Sequence, residues 1–407
     1  MFWYYGWNVI AVAIIFQGIT FGIGLFSITF FIQPWMVEFG ASRADVLAAA
    51  MGANLALGAM GPFVGRAMDR LQIRYMVVAG GAVFSLGLVL LSEATSMWQI
   101  IVIYTLFIGG GIVLAGSIAG QTLAVKWFRA RRGFAVGLVT IGTSTGGFLI
   151  PPLVTYLIEA YQWRTTCLVL AAVTALMIIP LSLWIIRNTP EEKGIEPEAE
   201  SPHTQSVIGQ STDKRWTTRA ILKDRAFWIT VSAFLPATIV FTAIQQNLGP
   251  LADDLGINSA RAALLMSIIA AVMLMGKLAF GAASDRFDIR YLFWVEAGLI
   301  VVAVVLLMRQ PNFAELAFIC AILGFSTGGT LPLLGAIVSS RFGIKDFGLV
   351  MGLLMPFLTV GSFGFVAAGW LRDTTGSYEL AFIAYLALII PAILSMAAMP
   401  KLRQSTK

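Results

Sequence analysis

Along the chain, apolar residues gather in runs of 18 or more, set apart by short polar punctuation, and the pattern predicts twelve membrane-spanning helices. Numbered in order, the spans fall at about 8–32, 44–65, 74–92, 98–123, 133–157, 165–186, 226–249, 261–282, 291–308, 313–338, 347–370 and 378–399, give or take a few residues at each end. Strands of a transmembrane barrel are excluded, because strict alternation is absent and the runs are twice too long. One stretch, 187–225, breaks the pattern with Pro190, Pro197, Pro202 and 14 charges, seven of each sign. It is expected to be a cytoplasmic linker, with an amphipathic stretch over Trp216–Arg225 leading into span 7. The chain is thereby divided into a first six-helix bundle, 1–186, the linker 187–225, and a second six-helix bundle, 226–407. The first 30 residues carry no basic lead and no small-residue cleavage site, so they read as the first span rather than as a signal peptide.

Composition agrees with an all-α integral membrane protein. The 407 residues are 58% hydrophobic and only 12% charged, roughly half the charged share of a soluble globular protein. Twelve spans of roughly 20 residues take up about 240, which leaves loops and one linker but no extramembrane domain. No enzyme is expected. Cys167 and Cys320 lie inside apolar runs of different halves, and His203, the one histidine, lies in the polar linker. So few ligands exclude a disulfide framework and a metal site, and no cofactor is implied.

With the N-terminus assigned to the cytoplasm, 21 of the 27 basic residues fall in inner loops, the linker or the C-terminal tail. Five fall outside: Arg43, Arg164, Arg261, Arg309 and Arg372; the last, Lys277, lies within a span. This asymmetry predicts a multi-pass protein of the cell's inner (plasma) membrane with both termini cytoplasmic. It also accounts for the net charge of +6, so no nucleic-acid partner is needed. Trp35, Trp98 and Trp370, near span ends, are expected in the interfacial belt.

The halves repeat. Gly65-Arg-Ala-Met-Asp69-Arg70-Leu-Gln-Ile-Arg74-Tyr75 matches Gly281-Ala-Ala-Ser-Asp285-Arg286-Phe-Asp-Ile-Arg290-Tyr291 at an offset of 216. Gly133-Phe-Ala-Val-Gly137-Leu138 matches Gly348-Leu-Val-Met-Gly352-Leu353 at 215. A shared apolar character does not explain the matching Gly-x-x-x-Asp-Arg loops. In these loops the sequence resembles the major facilitator superfamily, whose hallmark follows helix 2 with a weaker copy after helix 8. The resemblance implies two pseudo-symmetric bundles in which helices 1, 4, 7 and 10 line a central cavity. Helices 2, 5, 8 and 11 would pack where the halves meet, and 3, 6, 9 and 12 would face outward. Such proteins move a solute by rocking the bundles about a midplane site.

The acids Asp69 and Asp285 are expected to accept from bases or helix N-termini of the other half, closing the inner mouth, with Arg70, Arg74, Arg286 and Arg290 completing the gates. The alternative is that these loops only cap turns and fix topology. Gly133-x-x-x-Gly137, Gly142-x-x-x-Gly146 and Gly348-x-x-x-Gly352 predict close helix packing. Pro151-Pro152, Pro332 and Pro356 mark expected kinks.

Charge inside the membrane carries the functional reading. Only Lys277 and Glu296 fall well within spans, and a charge there is costly enough to suggest a function. Lys277, 16 residues into span 8, either binds one negative charge or snorkels to the inner headgroups. Glu296 either forms a structural ion pair with an inner base such as Arg341 or takes up a proton. Neutral polar groups on spans 1, 4, 7 and 10, among them Gln17, Ser117, Gln121 and Thr242, with the aromatics Phe21, Phe325 and Phe357, are candidates to contact a solute. Each polar group is equally suited to bond a neighbouring backbone.

Three places resemble the monocarboxylate transporter and oxalate/formate exchanger branch of that superfamily. They are Tyr5-Gly6-Trp7 opening helix 1, Lys126-Trp127-Phe128-Arg129-Ala130-Arg131-Arg132 after helix 4, and Lys277 four residues before Gly281. In that branch an arginine at the position of Lys277 pairs with the substrate carboxylate. Lysine offers a point charge instead of a bidentate fork. Met273 stands where mammalian-type members carry an aspartate one turn earlier, and helix 11 has no cation between Phe347 and Leu371. The expected function is therefore secondary active transport of a small organic monoanion, as a monomer in the lipid bilayer, with or without a proton that would ride on Lys277 or Glu296. A proton-driven efflux pump for small drug-like compounds is the alternative, suggested by the glycines of helix 5. No acid in helices 1, 4 or 7 would attract a cation. A sensor acting through the linker is the third reading.

Overall fold

Backbone amides inside a bilayer must find partners within their own segment, and the spans of this chain do so as α-helices. The computed structural model describes residues 4–41, 43–195, 215–257, 259–361 and 363–399. The middle of the expected linker, with Pro197, Pro202 and His203, and the C-terminal bases Lys401, Arg403 and Lys407 lie outside the described residues. The membrane-length helices are α1 (Gly6–Phe26), α2 (Ala48–Arg70), α3 (Ile73–Ser92) and α4 (Met97–Trp127). A single helical run, Arg132–Ile185, then contains α5 (132–161) and α6 (163–185), separated where Gln162 leaves helical geometry at φ 65°, ψ 160°. The remainder are α7 (Arg225–Asp254), α8 (Leu264–Ser284), α9 (Ile289–Leu307), α10 (Phe313–Arg341), α11 (Phe347–Arg372) and α12 (Glu379–Ala397). With the long run divided at Gln162, the twelve spans agree with the apolar pattern.

Contacts group the chain into two units, Met1–Ala199 with Ile344–Pro356, and Glu200–Gly343 with Phe357–Lys407. In the first, α1 meets α5 at glycine: a methyl on Gly146 would overlap the carbonyl of Gly18, and one on Gly18 would lie 3.3 Å from the oxygen of Gly142. Also there, α2 meets the start of α11 backbone to backbone, Gly61 and Gly65 against Gly352 and Gly348. In the second unit, α8 meets α10 through Gly276 at Phe325 and Gly324 at Ile269. Its α7 meets α11 where a methyl on Gly364 would stand 3.1 Å from the oxygen of Ile239. Small residues bring helices this close because lipid gives them no hydrophobic reason to associate, and dense packing must supply the attraction.

Helices α1 and α4 are irregular at facing positions. A π-helical turn occupies Gly22–Phe26 in α1 and another occupies Tyr104–Gly109 in α4. Such turns misalign carbonyls, and side chains satisfy them. Tyr104 Oη donates to Gly24 O at 2.8 Å, Ser27 Oγ to Gly22 O at 2.7 Å, and Thr20 Oγ1 to Ala115 O at 3.2 Å. In α10 the helix is interrupted at Gly329, three residues before Pro332, whose missing N–H cannot extend a regular ladder.

A polar cluster next to Gln162 secures the break there. Trp163 Nε1 donates to Glu38 Oε2 at 2.6 Å, and Arg164 Nη2 donates to Glu38 Oε1 at 2.6 Å and to Ala94 O at 2.7 Å. Arg164 also donates to Ser92 O. A non-glycine residue at this φ persists only where its surroundings over-determine it, and here the next two side chains are pinned. Trp35 joins the same region. It is fully buried against Phe31, Tyr104 and Trp163, at 5.2, 6.2 and 6.1 Å between ring centroids, so its expected place in the interfacial belt is corrected. Trp98 and Trp370 are largely exposed, as a belt residue should be.

Two tests follow from this packing. Gly146→Ala is expected to destabilise the protein by about 1–3 kcal/mol, as overpacking does, whereas Gly298→Ala in α9, where an added methyl meets nothing within 4 Å, is expected to be neutral or slightly stabilising. Melting in detergent reads both, and equal losses would reject the close approach at Gly146. For Glu38, burial raises the carboxyl, but hydrogen bonds from Arg164 and Trp163 and the charge of Arg164 outweigh it and hold the group below its ordinary value. A depressed acid stabilises the fold above its unfolded value, near 4.3 for a free glutamate, and loses that contribution as pH falls through the native one. The acid limb of the stability curve should therefore flatten in Glu38→Gln.

Candidate functional site

At the end of α2, Asp69 accepts from two backbone amides of α11: Gly348 N to Oδ1 at 2.9 Å and Leu349 N to Oδ2 at 2.7 Å. Amides in a first helical turn have no acceptor inside their own helix, and the helix dipole makes that end positive, so a carboxylate fits twice over. Of the partners open to Asp69, the structure supplies the N-terminus. Lys126 Nζ donates alongside it to Met68 O at 3.3 Å. The rest of the loop folds back on itself: Arg74 Nη2 donates to Gln72 Oε1 at 2.8 Å and to Tyr75 Oη at 2.9 Å, while Arg70 is exposed.

The second copy repeats that fold-back within its own unit. Arg290 donates through Nη2 to Asp288 Oδ2 at 2.6 Å and through Nε at 3.1 Å, and these bonds hold the Asp288 carboxyl below the usual carboxylate range. Asp288 also caps α9 by accepting from Arg290 N at 3.0 Å. Asp285 is half-buried and Arg286 exposed.

Within the first unit, the Tyr5-Gly6-Trp7 and Lys126–Arg132 motifs fold against each other. Tyr4 Oη donates to Trp127 O at 2.7 Å, and its ring meets Phe128 edge-on with centroids 5.4 Å apart. Trp7 packs on Phe128 at 4.5 Å, and Tyr5 Oη donates to Ile185 O at 2.9 Å. Gly6 lets them meet, since a methyl there would lie 2.5 Å from the Tyr4 ring and 3.0 Å from Phe128 Cζ, and the Tyr4 ring would have to shift. The start of the linker closes the cluster, with Lys193 Nζ 4.8 Å above the Tyr5 ring and Trp127 Nε1 donating to Arg187 O at 2.8 Å.

Among the polar candidates of the first unit, Gln17 is fully buried and donates through Nε2 to Val139 O at 3.1 Å, with its Oε1 left without a partner. Gln121, also fully buried, donates to Ser117 Oγ at 3.0 Å and likewise leaves Oε1 unpaired. The Gln17 amide lies against Gly120 and the Phe21 ring against Gly116, so this unit gathers its four candidates along facing stretches of α1 and α4.

In the second unit, Lys277 retains only 3% of its surface, so its side chain ends inside the protein and does not snorkel to headgroups. It lies on the stretch where α8 crosses α10: a methyl on Gly328 would stand 2.8 Å from Lys277 N. Phe325 neighbours this crossing and packs on Phe280, with ring centroids 5.6 Å apart and planes tilted by 49°. Thr242 turns to backbone, donating to Thr238 O at 2.8 Å and to Gly361 O at 3.3 Å. Phe357 packs on Trp228 at 5.4 Å, near the first turn of α7. Glu296 does not form the expected ion pair with Arg341. It is fully buried, and its Oε1 accepts from Thr330 Oγ1 at 2.5 Å while Oε2 has no partner.

Repeated Asp-Arg loops, glycine-packed helices in the same pairing pattern and a capped α11 together describe a known architecture, and the family model of the Major Facilitator Superfamily matches residues 10–355 and again 247–406. The chain belongs to the major facilitator superfamily. It is 26% identical over 411 residues to rat (Rattus norvegicus) monocarboxylate transporter 12, covering 93% of this chain and 82% of the relative. With human (Homo sapiens) monocarboxylate transporter 14 it shares 24% identity over 468 residues, covering 96% and 89%. Among solved structures, the human organic anion transporter MFSD10 (TETRAN) superposes with a TM-score of 0.73 at 14% identity, covering 96% of this chain and 99% of that one. The proton:xylose symporter XylE superposes with a TM-score of 0.71 at 16% identity, covering 99% and 97%. These likenesses show the fold.

Two features of this facilitator gave no warning in the sequence. Thr330 is one of many hydroxyls on α10, and nothing in its spacing marks it as the partner of Glu296. Tyr104, which ties the π-turn of α4 to that of α1, reads only as a tyrosine beside Thr105 in an apolar run. For the inner cap of the facilitator, Asp69→Asn keeps the side-chain size but leaves one acceptor for two amides. We expect the cap to weaken by about 1.5–3 kcal/mol, the range for a hydrogen bond to a charged group. Faster hydrogen exchange at the Gly348 and Leu349 amides measures it, and unchanged exchange would show that the cap contributes nothing.

Proposed function

We propose that this facilitator carries a small organic monoanion, a monocarboxylate, by alternating access of halves 1–186 and 226–407 joined by the cytoplasmic linker 187–225, with Lys277 as the electrostatic anchor for the carboxylate. The observation that carries this is the burial of Lys277. An ammonium held in the interior of α8, inside the membrane, is costly unless an anion compensates it in some state of the cycle. The relatives' names as monocarboxylate transporters support the same class. One cation fits one negative charge, and α11 carries none between Phe347 and Leu371, which favours a monoanion over a dicarboxylate. Met273 one turn earlier adds no acid to compete for the ammonium. A lysine attracts without the planar fork of arginine, so selectivity among carboxylates falls to cavity shape.

The gate reading goes with this. Asp69 at the start of α11 holds the inner end of one state, and release of its two amides is the step that opens it. The distribution of bases supports a cytoplasmic side for both termini.

Lys277→Gln is expected to lower uptake of a labelled monocarboxylate into proteoliposomes by about 100-fold, in keeping with about 2–5 kcal/mol for losing a buried charged partner, with an unchanged melting temperature. Lys277→Arg should retain a measurable part. A melting screen across formate, acetate, lactate, pyruvate and oxalate then identifies the solute. Undiminished uptake by Lys277→Gln, or stabilisation by organic cations alone, would reject the anchor and favour an exporter.

A further inference from the structure

Glu296 is the second ionisable residue deep in a span, and its surroundings differ from those of a structural ion pair. It sits in α9, packed against α10 and α12, and touches α7 and α8 less extensively. Within the interior those helices bring Lys277, Cys320 and Tyr385, and Arg341 at the end of α10; their other charged residues lie in first or last turns. Among the described residues, Thr330 is the hydrogen-bond partner of Glu296, and no cation pairs with it. One oxygen is thus satisfied at 2.5 Å and the other, Oε2, is bare in a fully buried site. A bare carboxylate oxygen in such a place is among the costliest arrangements in a protein, and a hydrogen on it removes the charge.

The partner is as informative as the carboxyl. Thr330 is the first residue after the interruption of α10 at Gly329. Two residues before it, Gly328 lies against the backbone of Lys277, and Gly329 lies against the ring of Phe280, where a methyl would come within 2.7 Å. The hydroxyl on Glu296 and the backbone at Lys277 therefore belong to one short irregular piece of α10. A displacement of that piece cannot leave both contacts unchanged.

We propose that Glu296 is the proton-carrying residue of the transport cycle, linked to the solute at Lys277 through the interruption of α10. The inference rests on the reading of Lys277 as anion anchor. In the loaded state an O–H bond forms at Oε2 with a proton taken from the outer solution. Departure of the anion shifts the Gly328–Thr330 piece, the O–H bond breaks, and the proton passes to the inner solution while the carboxylate regains its charge. One anion and one proton move per cycle, with no net charge.

The test uses full-length protein in proteoliposomes and pyruvate, or whichever carboxylate most raises the melting temperature. Wild type is expected to accumulate it when the inward proton gradient is imposed, and to catalyse counterflow without one. Glu296→Gln is expected to lose gradient-driven accumulation at least tenfold while counterflow stays within about threefold of wild type. Thr330→Val should displace the pH midpoint of accumulation without abolishing counterflow. Gradient-driven accumulation that survives in Glu296→Gln overturns the proposal. So does loss of counterflow together with accumulation, which would make Glu296 a structural residue. Wild type that exchanges pyruvate but ignores the gradient also overturns it while leaving the anchor standing. Failure of wild type to exchange any carboxylate instead defeats the reading of Lys277.

Discussion

Hydrocarbon offers a polar atom nothing to bond, and this condition shapes nearly every specific contact in the chain. Where the helices are regular their own ladders suffice. Where they are not, a side chain is supplied. Tyr104 reaches Gly24, Thr20 reaches Ala115, and Ser27 reaches Gly22, each closing a carbonyl that a π-turn or a break had freed. The same condition explains why helices meet at glycine: with solvent-driven association absent, backbone contact is the strongest attraction remaining. It also singles out the few places where satisfaction is incomplete. Among the described residues, Gln17, Gln121 and Glu296 each keep a buried oxygen without a partner, as do the hydroxyls of Ser96 and Ser182 and the indole nitrogen of Trp35, and the first three were already candidates by their chemistry.

The architecture was legible because it rests on periodicities that survive in a single sequence. Runs of 18 apolar residues separate spans cleanly, and Asp69-Arg70 and Asp285-Arg286 at an offset of 216 announce the repeat. Side-chain partners were less legible, since they depend on rotation of one helix against another by a few tens of degrees. Glu296 was visible as a charge in the wrong solvent. Its partner was not, and the expected pairing with Arg341 failed because a hydroxyl on α10 lies within reach of the carboxyl. Trp35 misled for a related reason. Proximity to a span end suggests an interface, but α1 continues as a helix over Ile28–Phe39 and carries Trp35 into an aromatic cluster with Tyr104 and Trp163.

The two Asp-Arg loops show how a repeat diverges while keeping its shape. Arg74 and Arg290 each bind a residue two positions back, a neutral glutamine in one case and an aspartate in the other. The change from Gln72 to Asp288 gives the second loop an N-cap for α9, whereas Ile73 N at the start of α3 is met from outside by Asn188 at 2.8 Å. A local cap has thus been exchanged for one lent by the first residues of the linker. The first loop takes this cap from distant chain, and the second supplies its own.

The pairing of Asp69 with the start of α11 sets a clock on biosynthesis. Its two amide partners lie 279 and 280 residues further along the chain. At roughly 5–20 residues per second, a ribosome takes about 15 to 55 seconds to reach them after Asp69 is made. For that interval the C-terminal end of α2 waits with an acid at its tip that has not met its amides, and the face of Gly61 and Gly65 lacks the helix that fills it. The first unit is therefore completed by the second half of the gene, and a nascent chain stalled before α11 holds ten helices with the Asp69 carboxylate still unclaimed.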